Sequence, residues 1–180
     1  LWDLQEGQCV SKLVEHSGFI QSLSASPDGS LVAMGLSGLA DTDGNRVAVI
    51  EVGSGEVLCE LKGDRAIFLS TGPWLAVRNP DEGTITKWET PDCELIGVVE
   101  ASGDAFAIDP RDILLAIWRG KIIELLDIET GASLAEVETD SESQLALEFS
   151  PNGQYLLGIG HSGSVRDPAT VMIWALGDSR

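Results

Sequence analysis

Apolar and polar residues alternate along this chain with a period of two, seldom with the 3.6 of a helix. In Gln144-Leu145-Ala146-Leu147-Glu148-Phe149-Ser150, Leu145, Leu147 and Phe149 share one face and Gln144, Glu148 and Ser150 the other. That pattern predicts a half-buried strand. Arg46 to Val52 and Val57 to Leu61 alternate less cleanly, as strands covered on both sides do. Leu114 to Ile128 mixes Leu, Ile and Glu as a helix would, but Arg119-Gly120-Lys121 interrupts it, and two consecutive strands are predicted there. Tight turns fall between such runs at Ser26-Pro27-Asp28-Gly29, Asp109-Pro110-Arg111-Asp112 and Ser150-Pro151-Asn152-Gly153. Proline fixes φ at the second position of each, and Asp, Asn or Gly tolerates the backbone angles of the later positions.

The turns belong to a repeat. A second marker, Leu1-Trp2-Asp3-Leu4, is echoed by Ile50-Glu51-Val52, Trp88-Glu89-Thr90, Leu126-Asp127-Ile128 and Ile173-Trp174-Ala175. If Trp2, Ile50, Trp88, Leu126 and Trp174 are one position revisited, successive copies lie 48, 38, 38 and 48 residues apart. These steps bracket the ~40–45 residues of a four-stranded propeller blade. With strands named a to d from the axis outward, residues 1–4 end a c strand and 9–15 form a d strand. Three full sets come next at about 19–62, 65–100 and 104–138, and 144–176 supply a, b and c of another. The expected fold is therefore all-β: antiparallel four-stranded blades, about four blades' worth, in a single propeller segment over 1–180. Its units are a partial blade at 1–15, blades at 16–62, 63–102 and 103–140, and a partial blade at 141–180.

The run His16 to Gly29 resembles the His-x-x-x-[Ile/Val]…Ser-Pro-Asp-Gly segment of WD40-repeat propellers, and Leu1-Trp2-Asp3-Leu4 resembles their Trp-Asp marker. The likeness spans the chain in degenerate form. The family's Gly-His pair is Glu15-His16 in one blade, with Gly63-Asp64 and Ser141-Glu142 near the corresponding places, and Trp-Asp is intact only at Trp2-Asp3. Typical family blades join a His, a Ser or Thr, an Asp and the Trp in a buried hydrogen-bond network. No blade here has all four, so packing of aliphatic side chains between blades is expected to carry stability. The resemblance implies a ring of about seven blades, so this chain is expected to be a segment of a longer propeller or half of one completed by another chain.

Charge narrows the partners. Eleven Lys and Arg against 29 Asp and Glu give −18, which repels a phosphate backbone or an anionic bilayer. Protein partners are expected, with basic ones favoured, and neither nucleic acid nor membrane. No apolar run approaches the ~20 residues that span a bilayer. Cys9, Cys59 and Cys93 are far apart and lack metal-ligand or Cys-x-x-Cys spacing. They read as small buried strand residues of a cytoplasmic, reducing environment.

Catalytic chemistry finds little support. His16 falls where the resemblance places a structural histidine, and His161 lies in a Gly-rich loop. No serine sits in a Gly-x-Ser-x-Gly elbow between strand and helix, and no Gly-Lys-Ser/Thr phosphate loop occurs. Asp41-Thr42-Asp43-Gly44-Asn45 offers oxygens suited to Ca²⁺, but it supplies three candidate ligands where the ion takes six or more, and Asp-Gly and Gly-Asn are ordinary hairpin turns. No catalytic residue, cofactor or metal site is expected. The two 48-residue steps carry their extra residues between strands b and c, at roughly 36–45 and 160–170. Two lengthened loops on one rim suggest a binding surface, with Leu39, Asp41 and Asp43 from one loop and His161, Arg166 and Asp167 from the other as contact residues. Two functions are compatible with this reading: a non-enzymatic scaffold for protein interaction through that rim, or a sensing or gating propeller of a larger enzyme whose catalytic region lies elsewhere.

Overall fold

The alternating segments are strands throughout the computed structural model, which describes residues 2–3, 5–9, 19–37, 44–140, 143–161 and 168–177. Strands β1 (Trp2–Asp3) and β2 (Gln8–Cys9) form a short hairpin. Blade 1 is β3 (Phe19–Ala25), β4 (Leu31–Ser37), β5 (Arg46–Glu51) and β6 (Val57–Lys62). Blade 2 is β7 (Arg65–Phe68), β8 (Trp74–Asn79), β9 (Thr84–Glu89) and β10 (Glu94–Glu100). Blade 3 is β11 (Ala105–Ile108), β12 (Leu114–Arg119), β13 (Ile122–Asp127) and β14 (Ser133–Glu138). Blade 4 has three strands among the described residues, β15 (Ser143–Phe149), β16 (Tyr155–His161) and β17 (Ala169–Ala175). Every pairing is antiparallel between sequence neighbours, and no described residue is helical. The expected all-β propeller architecture is what the chain adopts.

The repeat is visible in the bonds of the turns. Gly29, Asp112 and Gly153 donate N–H to the carbonyls of Ser26, Asp109 and Ser150, and all three have positive φ. Ser26 Oγ accepts Leu31 N–H at 2.9 Å and Ser150 Oγ accepts Tyr155 N–H at 3.0 Å. In the third copy Asp109, fully buried, takes the serine's place and accepts Leu114 N–H at 2.8 Å. Asp112 tolerates φ of 57° because its carboxylate is anchored across the blade boundary, accepting Ser70 N–H, Thr71 N–H and the Thr71 hydroxyl.

Apolar cores lie between blades. Val47, Val49 and Leu61 of blade 1 pack on Ala66, Phe68, Leu75 and Val77 of blade 2. Ile85 and Ala76 meet Phe106, Leu115 and Leu126 in the next seam. Ile123, Leu125 and Trp118 meet Leu147, Phe149 and Leu156 in the third, where Trp118 and Trp174 stack edge to face with centroids 6.0 Å apart. Gly158 lets those rings approach, since a Cβ there would lie 2.5 Å from Trp118. The cores stop at blade 4. By register, Val171 corresponds to Val47, Ile85 and Ile123. Those three are at most 3% exposed, whereas Val171 is 60% and its neighbour Ile173 64% exposed. The trailing face of blade 4 is built like a seam, and no blade among the described residues lies against it.

Hydroxyls stitch the inner edge of the first seam. Ser22 Oγ accepts Ala66 N–H at 3.1 Å and Ser24 Oγ accepts Phe68 N–H at 2.9 Å, joining strand a of blade 1 to strand a of blade 2. Changing both serines to Ala leaves two part-buried N–H groups without acceptors and is expected to cost about 1 kcal/mol each, read from urea unfolding. An unchanged midpoint would show the stitch to be idle.

The structure corrects three expectations. Cys59 and Cys93 are bonded, with Cα atoms 6.6 Å apart, rather than unpaired. Strand β6 and the β9–β10 turn lie side by side across the seam although 34 residues separate the two cysteines, so their spacing along the chain conceals the pairing. His161 closes strand β16, paired with Ser143 and Ala169, because the ladder runs further than the glycines suggest. The alternation over 144–150 is interrupted by a register shift between Gln144 and Ala146, leaving Leu147 and Phe149 buried and Glu148 exposed. Within blade 2, Trp88 Nε1 donates to Thr86 Oγ1 at 2.9 Å, and Thr86 Oγ1 donates to Val77 O at 3.2 Å.

Candidate interaction rim and channel wall

The b–c connections and the d–a links share one rim, where the same main-chain bond recurs. Gly63, Ala101 and Thr139 N–H groups, each just past a d strand, donate to Asn45, Gly83 and Lys121 carbonyls at 3.2, 3.0 and 2.8 Å. Between blades 2 and 3 this rim is hollowed into a cavity of about 280 Å³, lined by Arg78, Asn79, Ser102, Asp104 and Arg119. Asn79 is 3% exposed, and its Oδ1 has no hydrogen-bond partner. The buried hydroxyls of Thr84 and Thr139 on the same rim are also unpartnered. Ion pairs brace the surface: Lys62 Nζ with Glu82 at 2.7 Å and Arg119 with Glu124 at 2.6 Å. The hydrogen bond and charge of Glu82 raise the Lys62 ammonium pKa, and the same pair lowers that of Glu82.

Of the residues expected to make contacts, Leu39, Asp41, Asp43, Arg166 and Asp167 lie outside the described residues, as does His16. His161 is half-buried at the end of β16, at the mouth of the connection that holds Arg166 and Asp167. Among the described residues no group of three His, Cys, Asp or Glu is placed to hold a metal ion, and Asp41 to Asp43 fall outside that statement. The Asn79 pocket is not among the expected contacts. Its one signal in the sequence is Asn79-Pro80, a polar residue ending an apolar strand before a turn.

The opposite rim carries the proline turns. Hydrogen bonds from the Ser26 hydroxyl and from Ser30 hold the Asp28 carboxyl down to about 2. Burial raises the pKa of Asp109, but the Leu114 and Ile113 N–H groups and Arg111 outweigh it and the net shift is downward. These carboxylates are occupied by their own turns.

The inner wall, formed by the a strands, borders a cavity of about 450 Å³ that Ser24, Arg65, Phe106, Ile108 and Glu148 help to line. Burial and the nearby Arg78 lower the pKa of the half-buried Arg65, with Asp64 and Asp104 opposing them. Its Nε is buried without a partner.

The family model "WD domain, G-beta repeat" matches residues 7–45. That span runs from the turn before β2 through strands a and b of blade 1 to the start of β5. No curated protein matches the chain. Among solved structures, the hydrazine synthase of Kuenenia stuttgartiensis superposes with a TM-score of 0.71 at 16% identity, covering 94% of this chain and 49% of that one. At that identity the likeness is one of fold, and this chain spans about half the length of that relative.

Proposed function

We propose that this WD40-type propeller segment is a non-enzymatic docking module, presenting the rim of its b–c and d–a connections to other proteins. The observation that carries the reading is the rim pocket between blades 2 and 3, where Asn79 Oδ1 is buried and unpartnered. A buried acceptor left open costs free energy that a donor from a partner would recover. Lysine and arginine side chains are such donors, and the charge of −18 attracts them. WD40 propellers commonly mediate protein interactions, which agrees with this use of the fold.

Four blades rarely close a ring of this kind, and here Val171 and Ile173 are exposed where a further blade would sit. Further blades, from the same polypeptide or another chain, would cover that face as blade 2 covers Val47 and Val49. The half-length match to the hydrazine synthase chain fits this account. It also favours a second reading, a propeller belonging to a larger enzyme whose catalytic region lies outside these residues.

Asp41 and Asp43 changed together to Asn are expected to weaken capture of a Lys- and Arg-rich partner by about tenfold with the unfolding midpoint unchanged. Asn79→Ala is expected to do the same through the pocket. Binding by both variants equal to that of the parent, measured by calorimetry at low and high salt, would refute the rim.

A further inference from the structure

The seam between blades 2 and 3 lacks what the first seam has. There, Ser22 and Ser24 supply acceptors to the Ala66 and Phe68 N–H groups. Register makes Arg65 and Ile67 the counterparts of those serines, and Phe106 and Ile108 the counterparts of Ala66 and Phe68. Asp109 N–H bonds Leu114 O, and bonded positions alternate along an antiparallel ladder. Phe106 and Ile108 therefore turn their N–H groups out of the ladder, toward the channel. Isoleucine offers no acceptor and arginine only donors.

This wall thus gathers donors without acceptors: two main-chain N–H groups and a guanidinium whose Nε is buried and unpartnered, beside a cavity of about 450 Å³. Asp64 turns both oxygens to Arg78, and Arg65 Nε has no hydrogen-bond partner. We propose that the inner wall at blades 2 and 3 is a carboxylate-binding site, in which one ligand carboxylate accepts from Phe106 N–H and pairs with Arg65, the counterpart of Ser22; Ile108 N–H, about 6.5 Å further along the strand, is beyond the reach of the same carboxylate. Glu148 lines the same cavity from blade 4 and repels a second negative charge. The site therefore takes a monocarboxylate, either a small organic acid or the C-terminus of a peptide. It is independent of the rim and stands or falls separately.

Titration of the full chain with propionate, N-acetyl-trialanine and the C-terminal amide of that peptide tests the assignment, followed by calorimetry and by amide NMR shifts. At least one acid is expected to saturate and to move the Phe106 amide signal, with the tighter acid identifying the source. The amide should bind about tenfold more weakly or worse. Arg65→Ser with Ile67→Ser rebuilds the serine pair of the first seam, and is expected to lose acid binding by about tenfold or more while filling the open N–H groups. Arg65→Gln alone, which keeps the side chain's bulk, should lose it too. No saturation at millimolar acid, equal binding of acid and amide, or unaltered binding in folded Arg65→Gln protein would overturn the site.

Discussion

Asp64→Ala is expected to lower the unfolding free energy by about 3–5 kcal/mol. Arg78 stands near the end of β8, at the rim of blade 2, and is 8% exposed, as is Asp64. Its Nε donates to Asp64 Oδ1 at 2.9 Å and its Nη2 to Oδ2 at 2.5 Å, while Nη1 reaches forward to the carbonyls of Gly103 and Asp104 in the link to blade 3. One guanidinium therefore ties two blades together. Removing the carboxylate leaves a cation without its partner between low-dielectric walls, and the cost is the desolvation of that charge rather than the lost bond alone. Arg78→Met should cost a comparable amount, because it strands Asp64 and two carbonyls. Combining Asp64→Ala with Arg78→Met removes both charges and is expected to recover much of the loss. Urea unfolding of the two single variants and the double variant measures the cycle. An Asp64→Ala loss within about 1 kcal/mol would mean that water reaches the pair and that the blades are held by apolar contacts alone.

That pair also shows where reading the sequence stops. Strands, turns and blade order arise from local pattern: Ser26, Asp109 and Ser150 head turns with the same bonds, and Gly120 divides Leu114 to Ile128 as expected. Gly63-Asp64 follows strand β6 in the link to blade 2, and the structure gives the glycine a reason. A Cβ at Gly63 would stand 2.4 Å from Arg78 O, and one at Gly103 would meet Ile117 just as closely. Nothing local marks Arg78 as the partner of Asp64, since an arginine ending an apolar strand reads as a surface residue. The same holds for the site residues. Asn79, Arg65 and the inward N–H groups of Phe106 and Ile108 acquire meaning only from the blade set against them, and two adjacent seams can differ in chemistry while sharing one hydrophobic pattern. Residues whose roles are set across a seam, at separations near one repeat, are the ones that chain order conceals.

Reduction of the Cys59–Cys93 bond is expected to destabilise the chain by about 3–4 kcal/mol, the chain-entropy value for a loop of this length. The bond spans 34 residues and crosses the first seam at its outer margin, where both cysteines pack against the cluster of Val47, Val49, Phe68 and Leu75. Inner and outer margins of that seam are thus closed by different means, serine hydroxyls near the axis and a covalent link at the periphery. Non-reducing peptide mapping should recover the two cysteines in one linked fragment, and Cys59→Ser with Cys93→Ser should match the reduced parent in urea. The expectation of a cytoplasmic setting rests on thiols without partners, and it loses that support when two of the three are joined, because such bonds persist in oxidising compartments. If the double serine variant instead keeps the parent's midpoint and mapping finds both thiols alkylated, the seam is held by its apolar cluster and a reducing environment becomes the better reading.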